Sequence, residues 1–239
     1  LDGGWGELFV ETLIRDLGMF PLVHMNFIDT LGDPVCPPGI DQCTLASPEW
    51  RDAYTYAAVE VVHAVRPRYL SLGNEVNRWF EAVGEDPGDP NGFQHFVSLY
   101  EETYDAVKSV SPETRVFVVF AREIVSELRQ ADLTVLLRFD PSRLDLLVFT
   151  LYPYAVRTGP QTFRYPADIP DDYLSAAFAY VPKKPIGVSE MAWSEDEFFG
   201  GPQAQAEFLE TVVARLIWEQ DIRPSLIGWD WLHDLEGGN

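Results

Sequence analysis

The sequence predicts an α/β fold, a (β/α)8 barrel, on three observations. Short apolar, β-branched runs alternate with longer amphipathic segments along the chain. The runs are continuously apolar, as parallel strands buried on both faces must be. No glycine-rich phosphate loop, GxGxxG or GxxxxGK[ST], follows an early strand, which favours the closed barrel over the open doubly wound sheet.

The elements follow in order. Residues 5–17, WGELFVETLIRDL, read as a helix, and 20–28, FPLVHMNFI, as a strand. Ser47-Pro48 is a helix-start signal, and the helix it opens runs to Val65. RYLSLGN (68–74) is the next strand. Over 91–110, Phe93, Phe96, Val97, Tyr100, Tyr104 and Val107 recur at helical spacing. RVFVVFA (115–121) is a strand, 122–139 is expected to be helical, and LDLLVFTLY (144–152) is a strand. A short helix over 171–180 leads to the strand PIGVSE (185–190). Ala204, Phe208, Val212 and Leu216 stripe a helix over 203–219, and SLIGWDWL (225–232) is the last strand. That makes six strands, whereas a barrel of about 250 residues has eight. The expectation is one domain over 1–239, an incomplete barrel lacking its first two strands and its last helix.

Composition narrows the function classes. Thirty-eight acidic residues against 17 basic ones give a net charge of −21. No Lys/Arg cluster offers the basic face that nucleic acid requires, so nucleic acid is excluded as a partner. The longest apolar runs, such as RLDLLVFTLY, are too short to span a bilayer, and no signal peptide is recognisable. Such acidity suits an exported or salt-exposed protein, and a secreted or extracytoplasmic location is expected. Cys36 and Cys43 share one proline-rich loop, DPVCPPGIDQC, where they could close a short disulfide in an oxidising compartment or stay as two thiols. His24, His63, His95 and His233 are scattered and form no HExxH, so neither a metal site nor a cofactor is expected.

The chemistry gathers at strand ends. In LSLGNEVN (70–77) an apolar strand runs into Asn74 and Glu75, and in IGVSEMAWS another runs into Glu190. In a parallel barrel the C-terminal strand ends carry the active site. Two carboxyl groups at one end are the equipment for cleaving a glycosidic bond: one protonates the leaving oxygen, and the other attacks the anomeric carbon or activates water against it. Asp29, Glu123 and Asp230 also fall near strand ends; by alternation Asp230 is expected on the face opposite Trp229 and Trp231. Lys183 and Lys184 stand before their strand, at its wrong end for a lysine-dependent isomerase or aldolase.

LGNEVN followed by GVSEMAWS, with YPY on the strand between them and tryptophan on the last, resembles the clan A glycoside hydrolases. Within the clan the chain looks most like the arabinogalactan endo-β-1,4-galactanase family, glycoside hydrolase family 53, and its uncharacterised relatives. The resemblance implies a retaining β-glycosidase with a carbohydrate substrate, Glu75 as general acid/base and Glu190 as nucleophile. It also implies Asn74 as the partner of a sugar 2-hydroxyl, Tyr152 or Tyr154 as the tyrosine holding the nucleophile, and Trp231 or Trp229 as the subsite floor. Apart from the resemblance, Trp193 lies in the loop just after Glu190, where it would serve either as an aromatic sugar platform or as loop packing. The alternative is a non-catalytic carbohydrate-binding barrel or degenerate relative, which would not need both glutamates in register.

Overall fold

The computed structural model describes residues 8–29, 32–41, 43–157, 162–215 and 222–230. They fall into two compact units. One comprises residues up to Asn74 together with Val83–Phe117, and the other Glu75–Ala82 together with the chain from Val118 onward.

The first unit holds helix α1 (Leu8–Asp16, with π-type spacing), strand β1 (Leu22–His24), helix α2 (Pro48–Val65) and strand β2 (Tyr69–Ser71). Helix α4 (Phe93–Val110) and strand β3 (Arg115–Phe117) complete it. The three strands form a parallel sheet in the order β1-β2-β3. Helix α2 starts where the sequence signals it: the Ser47 hydroxyl accepts from the Trp50 amide, and Pro48 has no N–H to strand. It ends at Arg66, whose left-handed φ of 45° unwinds the last turn. Trp50, Tyr54, Ala58, Val62 and Val65 form its buried stripe. Helix α4 answers with Phe93, Phe96, Leu99, Tyr100, Thr103, Tyr104 and Val107. Burying each large side chain of this kind contributes about 1.5–3 kcal/mol, which outweighs the intrinsic helix preferences of these β-branched and aromatic residues. Cys36 and Cys43 form a disulfide, so of the two sequence alternatives the bonded one is observed.

The second unit holds helix α3 (Val76–Val83, its last residue apart), strand β4 (Val119–Ala121) and the antiparallel pair β5 (Glu123–Ile124) and β6 (Arg129–Gln130). After these come strand β7 (Leu147–Leu151), helix α5 (Tyr173–Phe178), strand β8 (Ile186–Met191), helix α6 (Gly201–Val213) and strand β9 (Leu226–Ile227). Its main sheet is parallel throughout, in the order β4-β7-β8-β9. Phe120 and Phe149 are register partners whose rings are 6.0 Å apart on one face, where Phe139 and Phe178 pack on them. Thr150, one residue on, therefore points to the opposite face.

Several elements depart from the sequence expectation. The segment 122–139 is not a helix but a two-residue hairpin followed by 3-10 turns; Leu128 sits at φ 57°, which reverses the chain. The run 115–121 breaks at Val118 into β3 and β4. The first and last strands shrink to Leu22–His24 and Leu226–Ile227. Leu216, on the expected helix stripe, lies outside the described residues. No helix among the described residues is long and apolar enough to cross a membrane.

Candidate active site

The second unit brings Glu75, Glu190 and Tyr152 together at the C-terminal ends of its parallel strands. Glu75 stands immediately before α3 with a left-handed φ of 49°. For a residue with a Cβ that conformation costs about 1–2 kcal/mol and persists only where the surroundings impose it. The imposing contact is Asn77. Its fully buried side-chain amide donates to the Ala121 carbonyl (2.9 Å) and accepts from the Ala121 amide (2.7 Å), clamping the first turn of α3 onto the end of β4. Thr150 on β7 then donates to Glu75 Oε1 at 2.8 Å, and Arg78 pairs with Glu75 Oε2 at 2.9 Å.

Glu190 reaches the same face through an irregularity. Phe149 pairs with Val188, but Thr150 pairs with Glu190, so Ser189 is the extra residue of a β-bulge. In unbroken register Ser189 would lie opposite Thr150, and Glu190 would share the helix-facing side with Phe149. The bulge turns Glu190 to the side of Thr150 and Tyr152. A second backbone feature accommodates it: a Cβ on Gly228 would lie 2.0 Å from the Ser189 carbonyl oxygen, so only glycine lets the chain after β9 pass this close.

The Tyr152 hydroxyl lies 2.9 Å from Glu190 Oε2 and 2.7 Å from Asp230 Oδ2. Burial, followed by these two carboxyl groups, pushes the phenol above its ordinary pKa, so the proton stays on Tyr152. Behind it, the buried Glu123 accepts the Tyr152 backbone N–H at 2.7 Å and the Tyr173 hydroxyl. Arg122 lies over the Tyr173 ring, 3.9 Å from its centroid. Burial lifts the Glu123 carboxyl to about 7, against the lowering effects of Tyr173, Arg122 and the Tyr152 amide.

The remaining expected site residues fall differently. Asn74 is half-buried just before Glu75. Tyr154 turns away from the glutamates and packs edge-on against Trp193 and Phe199. Trp193 is 1% exposed, packs on Phe208 and donates its indole N–H to the Phe199 carbonyl, so it is part of the core and presents no face to a ligand. Trp229 and Asp230 exchange the sides expected of them. Trp229 lies 6.4 Å from the buried Phe208 of α6, and Asp230 faces Tyr152. Alternation was counted along a strand of eight residues, whereas β9 has two and the chain turns over the bulge at Gly228. Trp231 and His233 lie outside the described residues. Thr150, Asn77 and the supporting part of Glu123 were not read from the sequence. Only Glu123, as an acid near a strand end, left a signal there.

No protein-family model matches the chain, and no curated protein matches it in sequence. Solved structures do match in fold. One of two fungal β-1,4-galactanases superposes with a TM-score of 0.58 at 13% identity, covering 90% of this chain and 68% of that one. A β-glucuronidase from Bacteroides uniformis gives 0.60 at 14% identity, covering 91% of this chain and 24% of that one. An exo-β-1,4-mannosidase from an Opitutaceae bacterium gives 0.59 at 15%, covering 90% of this chain and 38% of that one. The chain thus spans about two thirds of the galactanase and well under half of the other two. At these identities the likeness is one of fold: the neighbours are clan A glycoside hydrolases, and this chain shares part of their (β/α)8-barrel fold.

Proposed function

We propose that the protein is a retaining glycoside hydrolase that cleaves a β-linked glycan by double displacement. The observation that carries this reading is Thr150. Its hydroxyl bonds to Glu75, and its register partner on the next strand is Glu190. Both carboxyl side chains are thus tied to one face at one end of the sheet, the arrangement that a two-carboxylate glycosidase requires.

In this reading Glu190 attacks the anomeric carbon while Glu75 gives its proton to the leaving oxygen. Glu75 then takes a proton from the incoming water, which releases Glu190. The Arg78 partner of Glu75 has a largely exposed side chain, so that pair opens at small cost when Glu75 must carry a proton. Tyr152 holds Glu190 through its hydroxyl. Asn74, the residue before Glu75, is the proposed partner of the sugar 2-hydroxyl. A galactanase-like specificity is the finer proposal. The disulfide is consistent with a secreted or extracytoplasmic site of action.

The test is a hydrolysis panel of β-galactan, β-mannan, β-glucan and xylan, with the protein in its full natural length, followed by NMR of the first-formed anomer. Cleavage with net retention is expected, and Glu190→Ala should lose at least about 10⁴-fold in kcat. Net inversion, or hydrolysis undiminished in Glu190→Ala, would overturn the assignment.

A further inference from the structure

We propose that Asp230 is a positioning residue for this reaction: it shares the Tyr152 hydroxyl with Glu190 and takes that hydroxyl over while Glu190 is covalently occupied. The proposal rests on the reading of Glu190 as nucleophile.

A phenol has one proton to donate. Two carboxyl oxygens face it, Glu190 Oε2 at 2.9 Å and Asp230 Oδ2 at 2.7 Å. The hydroxyl can satisfy one fully only by releasing the other. Donation to Glu190 stabilises its charge but occupies a lone pair, whereas donation to Asp230 leaves the attacking carboxylate freer. Asp230 is fixed for this task by its own backbone. Its N–H donates to the carbonyl of Met191, the residue after Glu190, at 2.9 Å, and two residues earlier the Gly228 N–H donates to the Val188 carbonyl at 2.8 Å. The same bulge that turns Glu190 therefore has Asp230 bonded to its far side.

The proton count stays balanced through the cycle. In the first step a bond forms between a Glu190 oxygen and the anomeric carbon, the bond to the leaving oxygen breaks, and the proton on that oxygen comes from Glu75. Glu190 is then a neutral ester and a weaker acceptor, and the hydroxyl turns to Asp230, which still carries its charge. In the second step water bonds to the anomeric carbon, its proton goes to Glu75, and Glu190 leaves as a carboxylate that again competes for the hydroxyl. Tyr152 keeps its proton throughout. Without Asp230 the hydroxyl would lose its charged acceptor in the intermediate and be left facing a weak one in a half-buried site.

The test compares Asp230→Asn, Tyr152→Phe and the double variant, using the glycan that the wild-type protein cleaves best in the panel. Asn keeps the shape of Asp230 but donates to the phenol oxygen, committing the hydroxyl to Glu190. The expected result is a loss of roughly tenfold or more in kcat with KM within about threefold, and no further loss when Asp230→Asn is added to Tyr152→Phe. Additive losses, or a loss in KM alone, would overturn the proposal. A second readout needs neither turnover nor an Asp230 variant. With ¹³C-labelled carboxyl groups, Tyr152→Phe should shift both the Glu190 and the Asp230 signals, and a shift confined to Glu190 would overturn the sharing. If the wild-type protein cleaves no glycan, the reading of Glu190 as nucleophile fails and the role of Asp230 in turnover fails with it. The carboxyl signals still decide whether the hydroxyl is shared.

Discussion

Glu123 shows how one buried side chain can govern both stability and the site. Its carboxyl sits among Tyr173, Arg122 and the Tyr152 amide, yet burial outweighs these partners and holds its pKa at about 7, against an ordinary 4.5. The sign follows from the raised value. Below about pH 4.5 Glu123 is protonated in both folded and unfolded chains, and its contribution to stability is fully present. Between about 4.5 and 7 the unfolded chain loses the proton first, and stability falls by a total of about 3 kcal/mol. Glu123→Gln keeps the shape and the acceptor for the Tyr152 amide but removes the titration. Measured by denaturant unfolding, the variant should gain on the wild type as pH rises from 5 to 8 and level off above that. A pH-independent difference would show that Glu123 does not titrate in this range. The sequence placed Glu190 and Tyr152 at strand ends, because strand position follows from hydrophobic runs, whereas β2 stops at Ser71 and Glu75 stands four positions beyond it, just before α3. Nor could the sequence show Glu123 turned inward, because burial of an acid depends on partners such as Tyr173, fifty positions away in the chain.

At the scale of elements, the Ser47-Pro48 start signal marked helix α2, while hydrophobic patterning marked helix α4 by its spacing and the buried strands β7 and β8 by their continuous apolar runs. It failed where the backbone changes phase. The bulge at Ser189 and the short β9 carry no compositional mark, and between them they reverse the expected faces of Asp230 and Trp229. The hairpin at 123–130 was missed for a related reason: a two-residue strand pair is too short to show a period. Gly228 tests this account directly. A Cβ there would meet the Ser189 carbonyl at 2.0 Å, and backbone cannot rotate aside as a side chain can. Gly228→Ala should cost roughly 2–4 kcal/mol in unfolding free energy and should lower any glycosidase activity beyond the loss of folded protein, because the bulge aims Glu190. Gly187→Ala is the control. Its nearest atoms are side-chain carbons of Leu226 and Val148 at 3.0–3.3 Å, which can shift by a few tenths of an ångström, so its cost should be smaller. Equal costs at the two glycines would remove the bulge from the explanation.

For the whole molecule the dominant feature is charge. Thirty-eight acidic residues against 17 basic ones set the sequence pI near 4.3 and the net charge at −21. Part of this charge is locally compensated, as where Arg51 pairs with Glu102, Arg129 with Glu81 and Glu127, and Arg215 with Asp171. The bases are too few for the rest, so near neutral pH the folded chain works against its own repulsion. Two levers should relieve it, and they should be distinguishable. Salt shortens the range of repulsion to about 10 Å at 0.1 M and about 3 Å at 1 M, so at pH 7.5 the melting temperature should rise by several degrees between low and molar NaCl. Mild acidification to about pH 5 should also stabilise, because it protonates carboxyl groups and keeps Glu123 in its favoured neutral form. In Glu123→Gln the salt effect should persist unchanged, since it belongs to the molecule's total charge, while the acid effect should shrink by the share that Glu123 supplies. A melting temperature that fell with salt at pH 7.5 would mean that the local ion pairs outweigh the net repulsion, and the acidity would then need another physical reason than tolerance of a salty surrounding.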